Sequence, residues 1–252
     1  MTIVEAIILG VIQGLTEFLP ISSSGHLVLS QVMLGIKIPG NDFEILLHIG
    51  TLCSILFVFN YELKNILFTL SSKETQRFIL MLFIGTIPAV FIGLGLKHEI
   101  EKLFDNINVV GFALLFTGLT LISSYYFKSA DRKNTINKSF LIGIAQAIAI
   151  IPGISRSGMT ISVALFLGLN AKQAAKFSFL LAIPVISGAG ILMSYDLQDS
   201  FSLDLNNAIA GLLTSFLVGV VALKWLLAWL EGGKFHYFGI YCFLIGMFTL
   251  LI

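Results

Sequence analysis

The chain has 252 residues, 57% of them hydrophobic and 12% charged, with a formal net charge of +1 and a mean hydropathy of +0.96. Such a composition describes an integral membrane protein. Its near-neutral balance suggests neither a nucleic acid nor a strongly acidic partner.

The N-terminus is apolar, but Glu5 stands near it and no Lys or Arg precedes Lys37. A secretory signal needs a basic start, so residues 1–30 are read as part of the mature protein. Apolar segments follow at 3–30, 43–60, 78–96, 109–127, 140–168, 177–195, 208–230 and 237–252. Six of these are predicted to cross a bilayer singly, the last being short and leaning on Phe235, His236 and Tyr237 at the interface. Segments 3–30 and 140–168 are too long for one span and are broken by Pro20 and Pro152. No linker composition separates them, so one membrane domain is expected. Cys53 and Cys242 sit in apolar runs without metal-ligand spacing and read as small buried hydrophobes.

Charge decides how the two broken segments run. If each returns to the face it entered, one face collects Lys64, Lys73, Arg77, Lys128, Arg132, Lys133, Lys138, Lys172, Lys176 and Lys234. The other receives only Lys37, Lys97 and Lys102. If each crosses once, the bias vanishes. Cytoplasmic loops carry the Lys/Arg excess, so re-entrant hairpins are predicted. The 128–138 loop is then cytoplasmic, while the 196–207 loop (Asp196, Asp199, Asp204) and both termini are external.

The broken segments also repeat one another. Residues 10–27 and 143–160 align without a gap, pairing Gly10 with Gly143, Gln13 with Gln146, Ser22 with Ser155, Ser24 with Ser157 and Gly25 with Gly158. Three predicted crossings lie between them, and an odd number inverts the second copy. The expected fold is an all-α membrane protein with an inverted-topology repeat: six transmembrane helices plus two re-entrant broken hairpins. The first repeat would cover 1–127 and the second 139–252. Their tips would meet near the midplane, the layout that builds anion sites in transporters.

At the second tip, Ser155, Arg156, Ser157, Gly158 and Thr160 open a half-helix. A helix start offers unpaired N–H groups and positive dipole, serine hydroxyls add donors, and arginine adds a planar fork matched to phosphate. Arg156 at such depth points to function, the plainer reading being an N-cap with a snorkelling arginine. The first tip offers Ser22, Ser23, Ser24, Gly25 and His26. Gln13 and Glu17, at i and i+4, share a face of the half-helix before it. An ionised Glu17 in the membrane needs a partner. A divalent cation (Mg²⁺ or Ca²⁺) held with Gln13 and phosphate oxygens would serve, as would Arg156 itself. Ser23 and His26 are alternative nucleophiles, and His26 could instead activate water. Glu44 and His48, also i and i+4, could face the site entrance or form an interfacial pair. His98 and His236 read as solvated, Trp225 and Trp229 as packing and interface belt. Gly85, Gly93, Gly95, Gly111 and Gly118 read as helix-packing positions.

These residues carry a resemblance. The run QGLTEFLPISSSGH at 13–26 resembles the (E/Q)xxxE and Ser-Gly-His motifs of the undecaprenyl-diphosphate phosphatases, the bacitracin-resistance membrane family. The run PGISRSGMT at 152–160 resembles that family's PGxSRSxxT, and the FEILLHIG stretch at 43–50 fits as well. The resemblance implies hydrolysis of undecaprenyl diphosphate to undecaprenyl phosphate and inorganic phosphate with a divalent cation, on the outer side of the bacterial plasma membrane. That reaction recycles the lipid carrier for peptidoglycan. By motif position it gives Glu17, His26, Ser155, Arg156 and Thr160 catalytic or binding roles, with Gln13 as an amide variant of the first acidic position. Membrane acid phosphatases with a second histidine six residues after the arginine are a poor match, since Ser162 stands there. A lipid-phosphate flippase would share the midplane anion site and is the rival expectation.

Overall fold

The first helix begins with a capping box. The Thr2 hydroxyl accepts the Glu5 N–H (3.3 Å) and the Glu5 carboxylate accepts the Thr2 N–H (2.7 Å). The computed structural model describes residues 1–35, 42–104, 106–127, 131–196 and 204–251. Lys37, Lys128 and Asp199, used above to orient the chain, lie outside the described residues.

Among the described residues every regular element is helical. In order these are α1 (Ile3–Phe18), α2 (Ser23–Leu34), α3 (Asp42–Val58), α4 (Asn60–Phe68), α5 (Lys73–Gly95) and α6 (Lys97–Phe104). There follow α7 (Ile107–Ser123), α8 (Ile136–Ile148), α9 (Arg156–Phe166), α10 (Ala171–Asp196), α11 (Leu205–Glu231) and α12 (Tyr237–Thr249). The breaks foreseen at Pro20 and Pro152 separate α1 from α2 and α8 from α9.

The chain is a multi-pass membrane protein, and among the described residues four to five of the six expected spans are long and apolar enough to cross a bilayer. Among the described residues the four are α5, α7, α10 and α11. The bent pair Phe43–Val58 and Asn60–Phe68, which turns by 67°, makes a fifth if counted as one span. The remaining helix, α12, has 13 residues, and at 1.5 Å per residue it falls about 10 Å short of a 30 Å hydrocarbon layer.

Helix pairs are drawn together by glycine, because lipid offers no hydrophobic incentive for association and close backbone contact must supply it. Gly10 and Gly14 lay α1 on Gly211, Thr214, Ser215 and Gly219 of α11. Gly143 of α8 rests on the backbone of Gly85 in α5. Gly111 and Gly118 of α7 face Gly246 and Gly239 of α12. Two of the expected packing glycines do no such work: a methyl group at Gly93 would meet only the Ile150 Cδ1 (3.7 Å), and one at Gly95 nothing within 4 Å.

The main core joins Phe18, Ile55, Phe59, Phe179, Leu181 and Leu223 beneath the broken tips. Phe18 meets Phe179 edge-on at 5.9 Å. The outer faces of the long helices carry exposed Phe83, Phe91 and Leu217, as a lipid-facing surface requires. Cys53 and Cys242 are free thiols. Trp225 and Trp229 stack edge-on, with the Lys234 ammonium over Trp229.

Candidate functional site

Each broken helix restarts on a serine, and the two restarts share the same local chemistry. The Ser22 hydroxyl caps α2 by accepting the Gly25 N–H (3.2 Å), and the Ser155 hydroxyl caps α9 by accepting the Gly158 N–H (3.1 Å). Ser22 lies 3.3 Å from the Ser24 hydroxyl, and Ser155 lies 3.3 Å from that of Ser157. The copies differ in backbone. Ser155 is extended, whereas Ser22 has φ +71°, a conformation that costs a residue with a Cβ about 1–3 kcal/mol and persists where its surroundings impose it. Gly153, at φ +94°, turns the chain between Pro152 and Ser155.

The tips touch. A methyl group at Gly25 would come within 3.2 Å of the Gly153 Cα, and one at Gly158 within 3.3 Å of the Pro20 Cβ. Thr117 of α7 holds the second tip from behind, donating to the Gly153 carbonyl (3.1 Å) and accepting the Ser155 N–H (3.1 Å). No sequence signal marked Thr117, whose role depends on a backbone 36 residues away.

Glu17 stands at the junction. Its Oε1 accepts from the Arg156 Nη2 at 2.8 Å. Its Oε2 accepts from Ser23 Oγ at 2.8 Å and from Gln13 Nε2 at 3.1 Å. The carboxylate side chain is 7% exposed and that of Arg156 14%. A charge removed from water to this degree requires an opposite charge and hydrogen-bond donors, and Glu17 has one guanidinium and two further donors. The second edge of the guanidinium is different. Arg156 Nη1 is buried and has no hydrogen-bond partner, a donor left for an anion to satisfy.

A cavity of about 370 Å³ opens over this junction. Glu17, Ser22, Ser23, Ser24, Ser155 and Arg156 form its polar floor, and Ile45, Ile150, Ile154 and Val185 are among its apolar walls. His48 and Glu44 line it too. The His48 Nδ1 is tied to the Glu44 carbonyl (2.8 Å), and its Nε2 stands 3.8 Å from Glu17 Oε2. Their i, i+4 spacing had left an entrance role and an interfacial pair equally open, and the cavity lining favours the first.

Other expected site residues lie apart. His26 is outside the cavity wall, with Nδ1 against the Ser22 carbonyl (2.8 Å), Nε2 against the Tyr241 hydroxyl (2.9 Å), and the ring stacked on Tyr241. Both ring nitrogens are engaged there, so the structure does not bring His26 together with Glu17 and Arg156 on the cavity floor. Thr160 is likewise turned away, its hydroxyl donating to the Arg156 carbonyl (2.8 Å) and lying 2.6 Å from that of Ser178. Gly25, Ser157 and Gly158 shape the helix starts without forming part of the wall.

Among the described residues no three His, Cys, Asp or Glu side chains gather to hold a metal ion. One buried acceptor, Gln13 Oε1, nevertheless lacks a partner beside Glu17. One carboxylate and one carbonyl oxygen are a donor set suited to a Mg²⁺ or Ca²⁺ ion held mainly by diphosphate oxygens, and Gln13 sits behind the cavity lining, with Glu17 at its surface.

A family model described as "Bacitracin resistance protein BacA" matches residues 6–248. The chain belongs to this family. It is 42% identical over 260 residues to a protein of Christiangramia forsetii named undecaprenyl-diphosphatase, covering 100% of this chain and 98% of that relative. Two more proteins of the same name are similar over nearly their whole length. That of Carboxydothermus hydrogenoformans is 43% identical over 256 residues, covering 98% of this chain and 96% of the relative. That of Desulfosudis oleivorans is 40% identical over 274 residues, covering 99% and 98%. Family membership thus agrees with a floor built from both serine-rich motifs.

Proposed function

We propose that this chain hydrolyses undecaprenyl diphosphate to undecaprenyl phosphate and inorganic phosphate, recycling the lipid carrier of cell-wall synthesis and conferring bacitracin resistance. The single observation that carries the chemistry is Ser23 Oγ donating to Glu17 Oε2 at 2.8 Å on the floor of a cavity edged by Arg156. A hydroxyl aimed at a carboxylate beside a guanidinium is a nucleophile with its base and its charge stabiliser.

The steps follow from those positions. The terminal phosphate docks on Arg156 Nη1 and the helix starts at Ser22 and Ser155. Ser23 Oγ attacks the terminal phosphorus while its proton passes to Glu17, and the bond from that phosphorus to the bridging oxygen breaks. Undecaprenyl phosphate leaves with the electron pair of that bond. Glu17 gives that proton to bulk water and then takes one from the water that attacks the phosphoserine; the bond from phosphorus to Ser23 Oγ breaks, Oγ recovers the proton from Glu17, and inorganic phosphate leaves. Glu17 and Gln13 Oε1 would hold a Mg²⁺ or Ca²⁺ ion, which supplies charge neutralisation to the phosphoryl oxygens.

We also read the architecture as an inverted repeat, with both termini external and the cavity opening outward from the plasma membrane. The packing supports this. If α1, α2, α3, α5 and α7 correspond to α8, α9, α10, α11 and α12, then the α1–α11 contact maps onto α8–α5 and the α7–α12 contact onto itself. α6, the start of α3 and the second half of α10 all line the cavity, and the charge bias puts these ends towards the external face.

Phosphate release from undecaprenyl diphosphate by the purified protein in detergent tests the reading, since detergent leaves no second leaflet for a flippase to reach. Release lost in Ser23→Ala and Arg156→Ala, with folding intact, is expected. Wild-type protein that binds the lipid and releases no phosphate would overturn it.

A further inference from the structure

Each tip is held from behind by a side chain of the opposite half of the chain. In the gapless alignment of residues 10–27 with 143–160, Pro20 takes the place of Gly153 and Ser23 that of Arg156. The Gly153 carbonyl accepts from the Thr117 hydroxyl of α7 at 3.1 Å. The Pro20 carbonyl accepts from the Cys242 thiol of α12 at 3.4 Å. Both side chains are buried, and they stand on the two helices that pack glycine to glycine, Gly118 against Gly239. The two holds differ in chemistry. A hydroxyl donates and accepts well, whereas a thiol is weak in both roles. Thr117 uses both, for its oxygen also accepts the Ser155 N–H at 3.1 Å, and Ser155 is extended. At the tip held by the thiol, Ser22 sits instead at φ +71°.

We infer that Thr117 and Cys242 are paired positioning residues of the reaction centre. Thr117 sets where Arg156 stands and Cys242 where Ser23 stands, each by holding the carbonyl three residues earlier. Neither touches the substrate. The inference rests on the diphosphatase reading and adds to it what aims the two halves of the site at each other. Between each proline break and the helix that follows, the backbone has short local bonds such as Ile21 N–H to Leu19 (2.7 Å) and Ile154 N–H to Ile151 (3.0 Å). Such bonds close a turn without fixing its direction relative to the other hairpin, so a donor from outside decides where α2 and α9 begin. Arg156 and Ser23 must each reach Glu17, both at 2.8 Å. A misplacement of about 1 Å at a reacting group can cost about 10²-fold in rate. Because each hold comes from the other half, closing the two halves on one another assembles the site and aims it in one step.

Thr117→Val keeps the shape of the side chain and removes its hydroxyl, while Thr117→Ser keeps the hydroxyl. In phosphate release by the purified proteins, Thr117→Val is expected to lower kcat about 10²-fold and to change KM less than about threefold. Thr117→Ser should recover kcat to within about threefold of wild type. Cys242→Ala removes the weaker hold and should lower kcat about tenfold, with recovery in Cys242→Ser. Hydrogen exchange supplies a readout independent of turnover. The peptide over 150–158 should exchange about tenfold faster in Thr117→Val, and the peptide over 18–25 in Cys242→Ala, with α5 unchanged in both. Wild-type kcat in Thr117→Val, no recovery in Thr117→Ser, or unchanged exchange at both tips would overturn the inference. Phosphate release by the wild-type protein, and with it the diphosphatase reading, would then still stand.

Discussion

Glu17 and Arg156 are separated by 139 positions in sequence and by 2.8 Å in space. Neither broken segment alone could keep its charged residue in the membrane, because each would be a buried ion without a counterion. Together they make a charge-balanced floor that still leaves Arg156 Nη1 unfilled. The repeat explains the division of labour. Ile150 stands where the second copy would place a Glu17, and Arg156 where it would place a Ser23. One copy thus brings the carboxylate and the Ser23 hydroxyl, the other the guanidinium.

Arg156→Lys should lower turnover about 10²–10³-fold, as loss of one transition-state donor does, because an ammonium cannot bond Glu17 and a phosphate with two fixed edges. Steady-state phosphate release measures it. Turnover within a few-fold of wild type would remove Arg156 from its assigned place.

Ser23→Ala should abolish turnover, and His26→Gln should retain most of it, since the His26 ring is occupied by Ser22 and Tyr241. Acid quenching with a terminally labelled substrate distinguishes the nucleophiles. An acid-stable phosphoserine at Ser23 is expected. An acid-labile, base-stable phosphohistidine would reinstate His26.

Gln13→Glu should lower the cation concentration that half-activates the enzyme about tenfold, because a second carboxylate joins Glu17 at the ion. Glu17→Gln should abolish phosphate release at every cation concentration, because it removes the base together with the ion's carboxylate ligand. Titrations of phosphate release against each cation check both, and unchanged half-activation in Gln13→Glu would remove Gln13 from the ion's ligands.

Gly143→Ala should destabilise the fold by about 1–3 kcal/mol, the usual cost of overpacking, because its methyl group would run into the Gly85 backbone. Gly95→Ala, with open space around it, should be neutral or slightly stabilising. Thermal unfolding of the two variants in the same detergent gives the comparison, and equal melting temperatures would contradict the close α5–α8 contact.

Much of this protein was legible in its residues. The apolar composition required a membrane, Pro20 and Pro152 required breaks, and the paired Ser-x-Ser-Gly runs required two like helix starts, because each is a local consequence of side-chain polarity or backbone restriction. Helix length was less secure: hydropathy extends 43–60 as one span, but only packing decides that the chain turns by 67° into α4. Tertiary structure alone decided that Ser23 faces Glu17, that His26 turns to Tyr241, and that Thr117 braces the second tip. Those are choices among rotamers and partners distant in the chain, and they are made when helices from both halves close on one another.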